Sequence, residues 1–197
     1  AAAPRLRRGF GGQAWCRADV HRAEPAVPDG QSVGVRDVHA AVVHGAHQRP
    51  PRRAERFQDD GVLAALVPVL ESAQESIYFL AYSFTANQLG EIVRQKAEAD
   101  LTIAGVMDDE QVRSNQGTEF DPFRQADLDV RIDGIDGLMH HKVFIIDEKI
   151  VVFGSYNFSQ SAEQRNDENL LVIYDPVIAE QFVLEFRRVQ EQAQRSD

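Results

Sequence analysis

A mixed α/β fold, with one β-sheet flanked by helices on both faces, is what this sequence predicts. Three observations carry the prediction. Short apolar runs of strand length at residues 76–84 and 101–107 read as strands buried on both faces. They alternate with longer stretches of helical period, the pattern of a layered α/β architecture. One pair of runs, 139–146 and 150–153, is separated only by Asp147-Glu148-Lys149 and therefore reads as a hairpin, which makes the sheet mixed.

The chain of 197 residues suffices for one domain with a substantial core. Residues 1–57 differ from the rest. They hold ten Arg, no Lys and five acids, for a net charge of +5. They also hold four of the six histidines, the single Trp and the single cysteine, Cys16. Apart from a short Val-rich piece near Val33 to Val43 they lack strand or helix periodicity, so they read as a poorly structured extension. The Arg bias without Lys also fits a GC-rich coding bias, a misplaced start or an out-of-frame stretch; a nucleic-acid-binding tail is the functional alternative. His39, His44 and His47 match no ligand spacing, Gly9-Phe10-Gly11-Gly12 follows no strand, and one cysteine makes no internal disulfide. No metal site and no cofactor are expected.

Residues 58–197 form the predicted folded domain. Their eleven Lys and Arg face twenty-six Asp and Glu, a net charge of −15. An acidic body is not the footprint of a general nucleic-acid binder, nor is it drawn to an anionic membrane. An anionic substrate then needs a local positive site. No run of eighteen apolar residues suggests a transmembrane helix, and no apolar leader is visible, which makes the cytoplasm the expected compartment.

Taken in order, Asp59 and Asp60 are candidate caps of a helix reaching roughly Ala73, with Val62, Leu63, Leu66, Val67 and Leu70 on one side. Pro68 lies inside it and is expected to kink or interrupt it. The strand at 76–84 follows, then a helix over about 87–99, the strand at 101–107, and a polar linker with short helical pieces to about Ala126. A short strand at 128–132 precedes the hairpin. Residues 157–167 are polar with a short helix, 169–174 form a last strand, and Asp175 or Pro176 starts a final helix with apolar Val177, Ile178, Phe182, Val183 and Phe186.

The chemistry concentrates in the hairpin. Side chains alternate along a strand, so a strand over 139–146 projects His140 and Lys142 from one face, side by side, and turns His141 to the other. A nucleophile beside a fixed cation suits an anionic substrate. Gly154 permits positive φ or close backbone approach, and Ser155 and Asn157 either shape the turn or offer hydrogen-bond donors to an anion. Tyr156 reads equally as pocket wall or as packing. Glu168, 28 residues beyond His140 on the segment entering the last strand, reads either as a carboxylate that hydrogen-bonds an imidazole nitrogen and fixes its tautomer or as a solvated loop acid.

The spacing His140-x-Lys142-x4-Asp147-x6-Gly154-Ser155-x-Asn157 resembles the HKD motif of the phospholipase D superfamily, and Asn166-Asp167-Glu168-Asn169 resembles its downstream acidic element. The likeness extends over about residues 59–190. It implies a phospholipase D-like α/β/α sandwich and a metal-independent phosphodiester hydrolase. It further implies His140 as the nucleophile of a phosphohistidine intermediate, Lys142, Ser155 and Asn157 around the phosphate, and Asp147 in an architectural role. The mechanism of that family uses a second histidine from a second motif, and this sequence carries one His-x-Lys. Two readings follow. Either the chain resembles the short single-motif members, such as the bacterial Nuc-type endonucleases, whose two copies share a site, or it is the C-terminal half of a two-motif enzyme. The expected function is a nuclease-like phosphodiesterase acting as a homodimer. A phospholipase D acting on phosphatidylcholine-type lipids is the alternative, and a scaffold without catalysis the reading from another class.

Overall fold

A computed structural model describes residues 39–44 and 61–193 of the chain. Seven strands form one sheet: β1 (His39–His44), β2 (Ser76–Ala81), β3 (Thr102–Met107), β4 (Asp129–Ile132), β5 (Lys142–Ile146), β6 (Ile150–Gly154) and β7 (Asn169–Tyr174). Their spatial order is β1-β7-β6-β5-β2-β3-β4. The pairs β1–β7, β2–β3 and β3–β4 are parallel, and β2–β5, β5–β6 and β6–β7 are antiparallel. The mixed sheet expected from the sequence is therefore present. Of the expected N-terminal extension, His39–His44 form the edge strand β1 beside β7; its other residues, with the candidate caps Asp59 and Asp60, lie outside the described residues.

Among the described residues, six helices complete the order: α1 (Gly61–Glu71), α2 (Asn87–Glu98), α3 (Asp109–Ser114), α4 (Phe120–Gln125), α5 (Gln160–Arg165) and α6 (Pro176–Gln192). The central strands are apolar on both faces because both faces are covered. On one, Ile77, Phe79, Met107, Phe144 and Val152 pack with Leu66, Leu70, Leu89 and Phe123 from α1, α2 and α4. On the other, Leu80, Val106, Val143, Ile145 and Val151 pack against Ala179, Val183, Phe186 and Val189 of α6. Phe79 demands the glycine opposite it: a Cβ on Gly105 would stand 2.1 Å from the Phe79 ring. Among the described residues no helix is long and apolar enough to cross a membrane.

Three local expectations are corrected. Pro68 does not interrupt α1, which runs on to Glu71. Pro68 and Ala64, whose carbonyl the proline cannot bond, both lie on the exposed side, where water can take up that carbonyl. Val177 and Ile178 are exposed, and Ala179, Val183, Phe186 and Val189 form the buried stripe of α6. The strand predicted over 139–146 starts only at Lys142, so His140 and His141 precede it. The N–H of Met139 is drawn instead to the carboxylate of Asp108, 3.0 Å away at the end of β3.

Strand directions decide where functional side chains gather. The C-terminal ends of β2, β3 and β6 and the N-terminal ends of β5 and β7 all lie at one edge of the sheet, by the observed pairings. His140 and Glu168 precede, Lys142 begins, and Ser155 and Asn157 follow those ends.

Candidate active site

Backbone contacts assemble this edge. The N–H of Tyr82 donates to the carbonyl of His141 at 2.8 Å, carrying the β2–β5 ladder one step past the strand. Thr85 and Ala86 both donate to the carbonyl of Phe158 at 2.9 Å, tying the segment after β2 to the segment that carries Asn157. Gly154 is required by close approach: an added Cβ would lie 2.1 Å from the Asn169 carbonyl oxygen. That approach lets Ser155 N–H donate to the Asn169 carbonyl at 3.1 Å and closes β6 on β7.

His140 and Lys142 do meet, although the strand does not include both. The Lys142 ammonium nitrogen lies 3.4 Å from Nδ1 and 3.3 Å from Nε2 of His140, and 3.3 Å from the His140 carbonyl oxygen. The imidazole is exposed and the lysine is buried at 7% exposure. Among the described residues no carboxylate reaches Lys142 within ion-pair distance. Burial pushes the pKa of Lys142 down, and the more distant charges of Glu168 and Asp108 partly restore it. A buried cation without an anion partner is costly alone and well placed to receive one.

Asn157 adds a second unsatisfied group, because its Oδ1 is buried and lacks a hydrogen-bond partner. Rotating the amide by half a turn would present Nδ2 at the same place, a donor fit for a phosphate oxygen. Ser155 and Glu168 meet each other. Glu168, at 8% exposure, accepts a short hydrogen bond from the Ser155 hydroxyl and another from Asn166 Nδ2 at 2.8 Å. It does not hydrogen-bond His140, so the tautomer-fixing contact expected from the sequence is absent here. The competing donors lie nearer along the chain: Ser155 opposite the start of β7 and Asn166 two residues before Glu168.

Asp147 stands at the far end of the hairpin. Its carboxylate accepts the backbone N–H groups of Gln74, Glu75 and Ser76 at 2.7–3.1 Å. It is the first of two turn residues with positive φ, 53° and 52° at Asp147 and Glu148, the geometry of a type I′ hairpin turn. His141 points away toward α6, with Nε2 3.5 Å from Glu185 Oε1. Burial lowers its pKa more than Glu185 raises it, so near pH 7 this is a polar contact of a neutral ring. Tyr156 is fully buried and donates to Glu163 at 2.9 Å, which settles it as packing.

Sequence reasoning missed Tyr82, Gln111 and Asp108. The Tyr82 ring centroid is 4.5 Å from that of His140 and 4.9 Å from the Lys142 ammonium. Tyr82 sits in a continuous apolar run, where it reads as core; Asp108 reads as the polar end of a strand. No signal in one sequence marks them. Among the described residues no three His, Cys, Asp or Glu side chains gather as a metal-binding group. At one edge of the sheet the described residues thus include an exposed imidazole, a buried ammonium beside it and, on the segment after β6, a buried amide oxygen without a partner.

Comparisons with known proteins bear on the family to which the chain belongs. Residues 66–190 match the family model described as cardiolipin synthase, PLD-like domain. The chain is 35% identical over 126 residues to a phospholipase D of Rickettsia typhi, covering 62% of this chain and 60% of that protein. It is 32% identical over 133 residues to a mitochondrial cardiolipin hydrolase of Homo sapiens, covering 68% and 52%. The match thus spans about half to three fifths of these relatives' length. Among solved structures it is similar to Nuc of Salmonella typhimurium, described as a phospholipase D family member, with TM-score 0.64 and 28% identity over 71% of this chain and 95% of that one.

Proposed function

The chain belongs to the phospholipase D superfamily, and on that premise we propose that it is a metal-independent phosphodiester hydrolase with His140 as nucleophile. The observation that carries the reading is the contact of His140 with a buried Lys142 that has no carboxylate partner. An imidazole nitrogen of His140 attacks phosphorus, the bond to the leaving oxygen breaks, and a phosphohistidine forms. Lys142 and Asn157 stabilise the phosphate oxygens. The leaving oxygen takes a proton from a second histidine. That histidine then accepts a proton from the water that attacks phosphorus, releasing a phosphomonoester and free His140.

The residues given hold one such motif, and the short single-motif members they resemble favour a second copy of this chain as the source of the second histidine, with a first half of a two-motif enzyme as the alternative source. A nuclease-like substrate is supported by the sequence likeness to Nuc-type endonucleases and by a match that spans nearly all of the Nuc chain. A lipid substrate is favoured by a separate observation: Ile135 and Leu138, at 45% and 51% exposure, stand on the loop leading into His140. Parallel assays of DNA, RNA and phosphatidylcholine with wild type and His140→Ala test the proposal. The expected result is one cleaved class, resistant to EDTA, with a loss of about 10⁴-fold or more in His140→Ala. Retained rate in the variant removes His140 from the mechanism, and loss with EDTA contradicts metal independence. Light scattering should give about twice the 22.1 kDa chain mass; an active monomer sinks the shared site.

A further inference from the structure

We propose that Tyr82 is a positioning residue for the His140–Lys142 pair, with Asp108 and Gln111 holding it in place. The inference rests on the reading that His140 and Lys142 perform the chemistry. It starts from a question the site leaves open, namely what fixes the orientation of an exposed imidazole. Glu168 does not, since Ser155 and Asn166 occupy its carboxylate. Lys142 does not either. Its ammonium is nearly equidistant from Nδ1 and Nε2, so it lies on the lone-pair axis of neither nitrogen. The Tyr82 ring does touch the imidazole, tilted by 56° against it at 4.5 Å.

The same ring serves the lysine. The Lys142 ammonium stands 4.9 Å from the ring centroid, within the range where an aromatic face attracts a cation. An aromatic face holds a cation without neutralising it. A carboxylate in that place would bind the ammonium and repel an incoming phosphate. Tyr82 therefore fits a site that must keep its positive charge available.

The ring is itself anchored through a closed circuit of contacts. Gln111 Nε2 donates to the Tyr82 hydroxyl at 3.1 Å. The backbone N–H of Gln111 donates to Asp108 Oδ1 at 3.0 Å, capping α3. Asp108 Oδ2 accepts the N–H of Met139 at 3.0 Å, the residue before His140. One buried carboxylate at the end of β3 thus fixes both the backbone that delivers His140 and the helical turn that holds Tyr82.

The test is steady-state kinetics of the full chain on bis-p-nitrophenyl phosphate, with thermal melts alongside. Tyr82→Leu should lower kcat by about 10- to 100-fold, the scale of a misplaced reacting group, while KM stays within about threefold. Tyr82→Phe keeps the ring and should recover most of that loss, and Gln111→Ala, which only loosens the ring, should cost about threefold in kcat. Wild-type kcat in Tyr82→Leu overturns the proposal, as does an equal loss in Leu and Phe. Should the Leu variant fail to fold, unchanged kcat in Gln111→Ala overturns it. His140→Ala in the same series separates the two claims. Its inactivity beside a fully active Tyr82→Leu removes only Tyr82, whereas its activity removes the underlying mechanism.

Discussion

At its turn, the β5–β6 hairpin satisfies its polar groups closely. Asp147 takes up three backbone N–H groups of the α1–β2 connection, its own N–H donates to Ser76, and Lys149 N–H closes on Ile146. At its open end, about five residues away, the hairpin leaves a lysine buried without a carboxylate partner, and the segment that follows it leaves the Asn157 amide oxygen without any partner. The two ends share strands, core and register, so packing does not explain the contrast. On the proposed function, local consistency is kept where only stability is served and broken where a phosphate is to be bound.

The sharpest way to break that comparison is Lys142→Met, which keeps an unbranched chain and removes the charge. Activity on a phosphodiester should fall by about 10²- to 10³-fold, the scale of losing one preorganised donor. Stability should rise, by about 1 kcal/mol, since a desolvated ammonium is replaced by an apolar group of similar shape. A urea melt reads the second effect. A fall in stability with the lost activity would show that Lys142 is satisfied in the empty site.

Asp147→Ala is the opposite experiment at the other end. Three N–H groups lose a charged acceptor and an alanine is forced into positive φ. Stability should drop by about 2–3 kcal/mol, with kcat within about twofold of wild type. Both are measured on one preparation, by melt and by initial rate. A large loss of kcat without loss of stability would make Asp147 part of the chemistry and erase the contrast.

How much of this was legible in the sequence follows the same division. The strands at β2, β3, β5, β6 and β7 were visible because continuous apolar runs between turn residues have few other readings. The hairpin turn and Gly154 were visible because turn geometry and close approach restrict residue type. His140, Lys142 and Asn157 were found by spacing and are gathered at one edge by strand direction. What failed depended on side chains choosing among partners: Glu168 prefers Ser155 and Asn166, and the backbone before Lys142 prefers Asp108 to the ladder. Tyr82 was hidden because an aromatic that ends a buried strand looks the same whether it packs or positions.

Glu168→Gln gives the finest test of the difference, because it changes charge at the open end and nearly nothing in shape. Burial lowers the pKa of Lys142, and the charge of Glu168 is the larger of the two influences that raise it back. In the wild type, the alkaline limb of the pH–rate profile should therefore fall below the ordinary lysine value of about 10.4. Removing the negative charge makes the ammonium less favourable, so the Lys142 pKa drops further and the limb moves to lower pH, by less than about one unit. Linkage fixes the sign for stability too. Between the depressed native pKa and the ordinary unfolded value the unfolded chain binds the proton more tightly, so stability rises with pH across that window. The window widens at its lower end in Glu168→Gln. A profile on bis-p-nitrophenyl phosphate measures the limb directly. A shift toward higher pH would mean that Glu168 acts on some other titrating group, and that the buried charge at the open end is balanced by means other than its distant carboxylates.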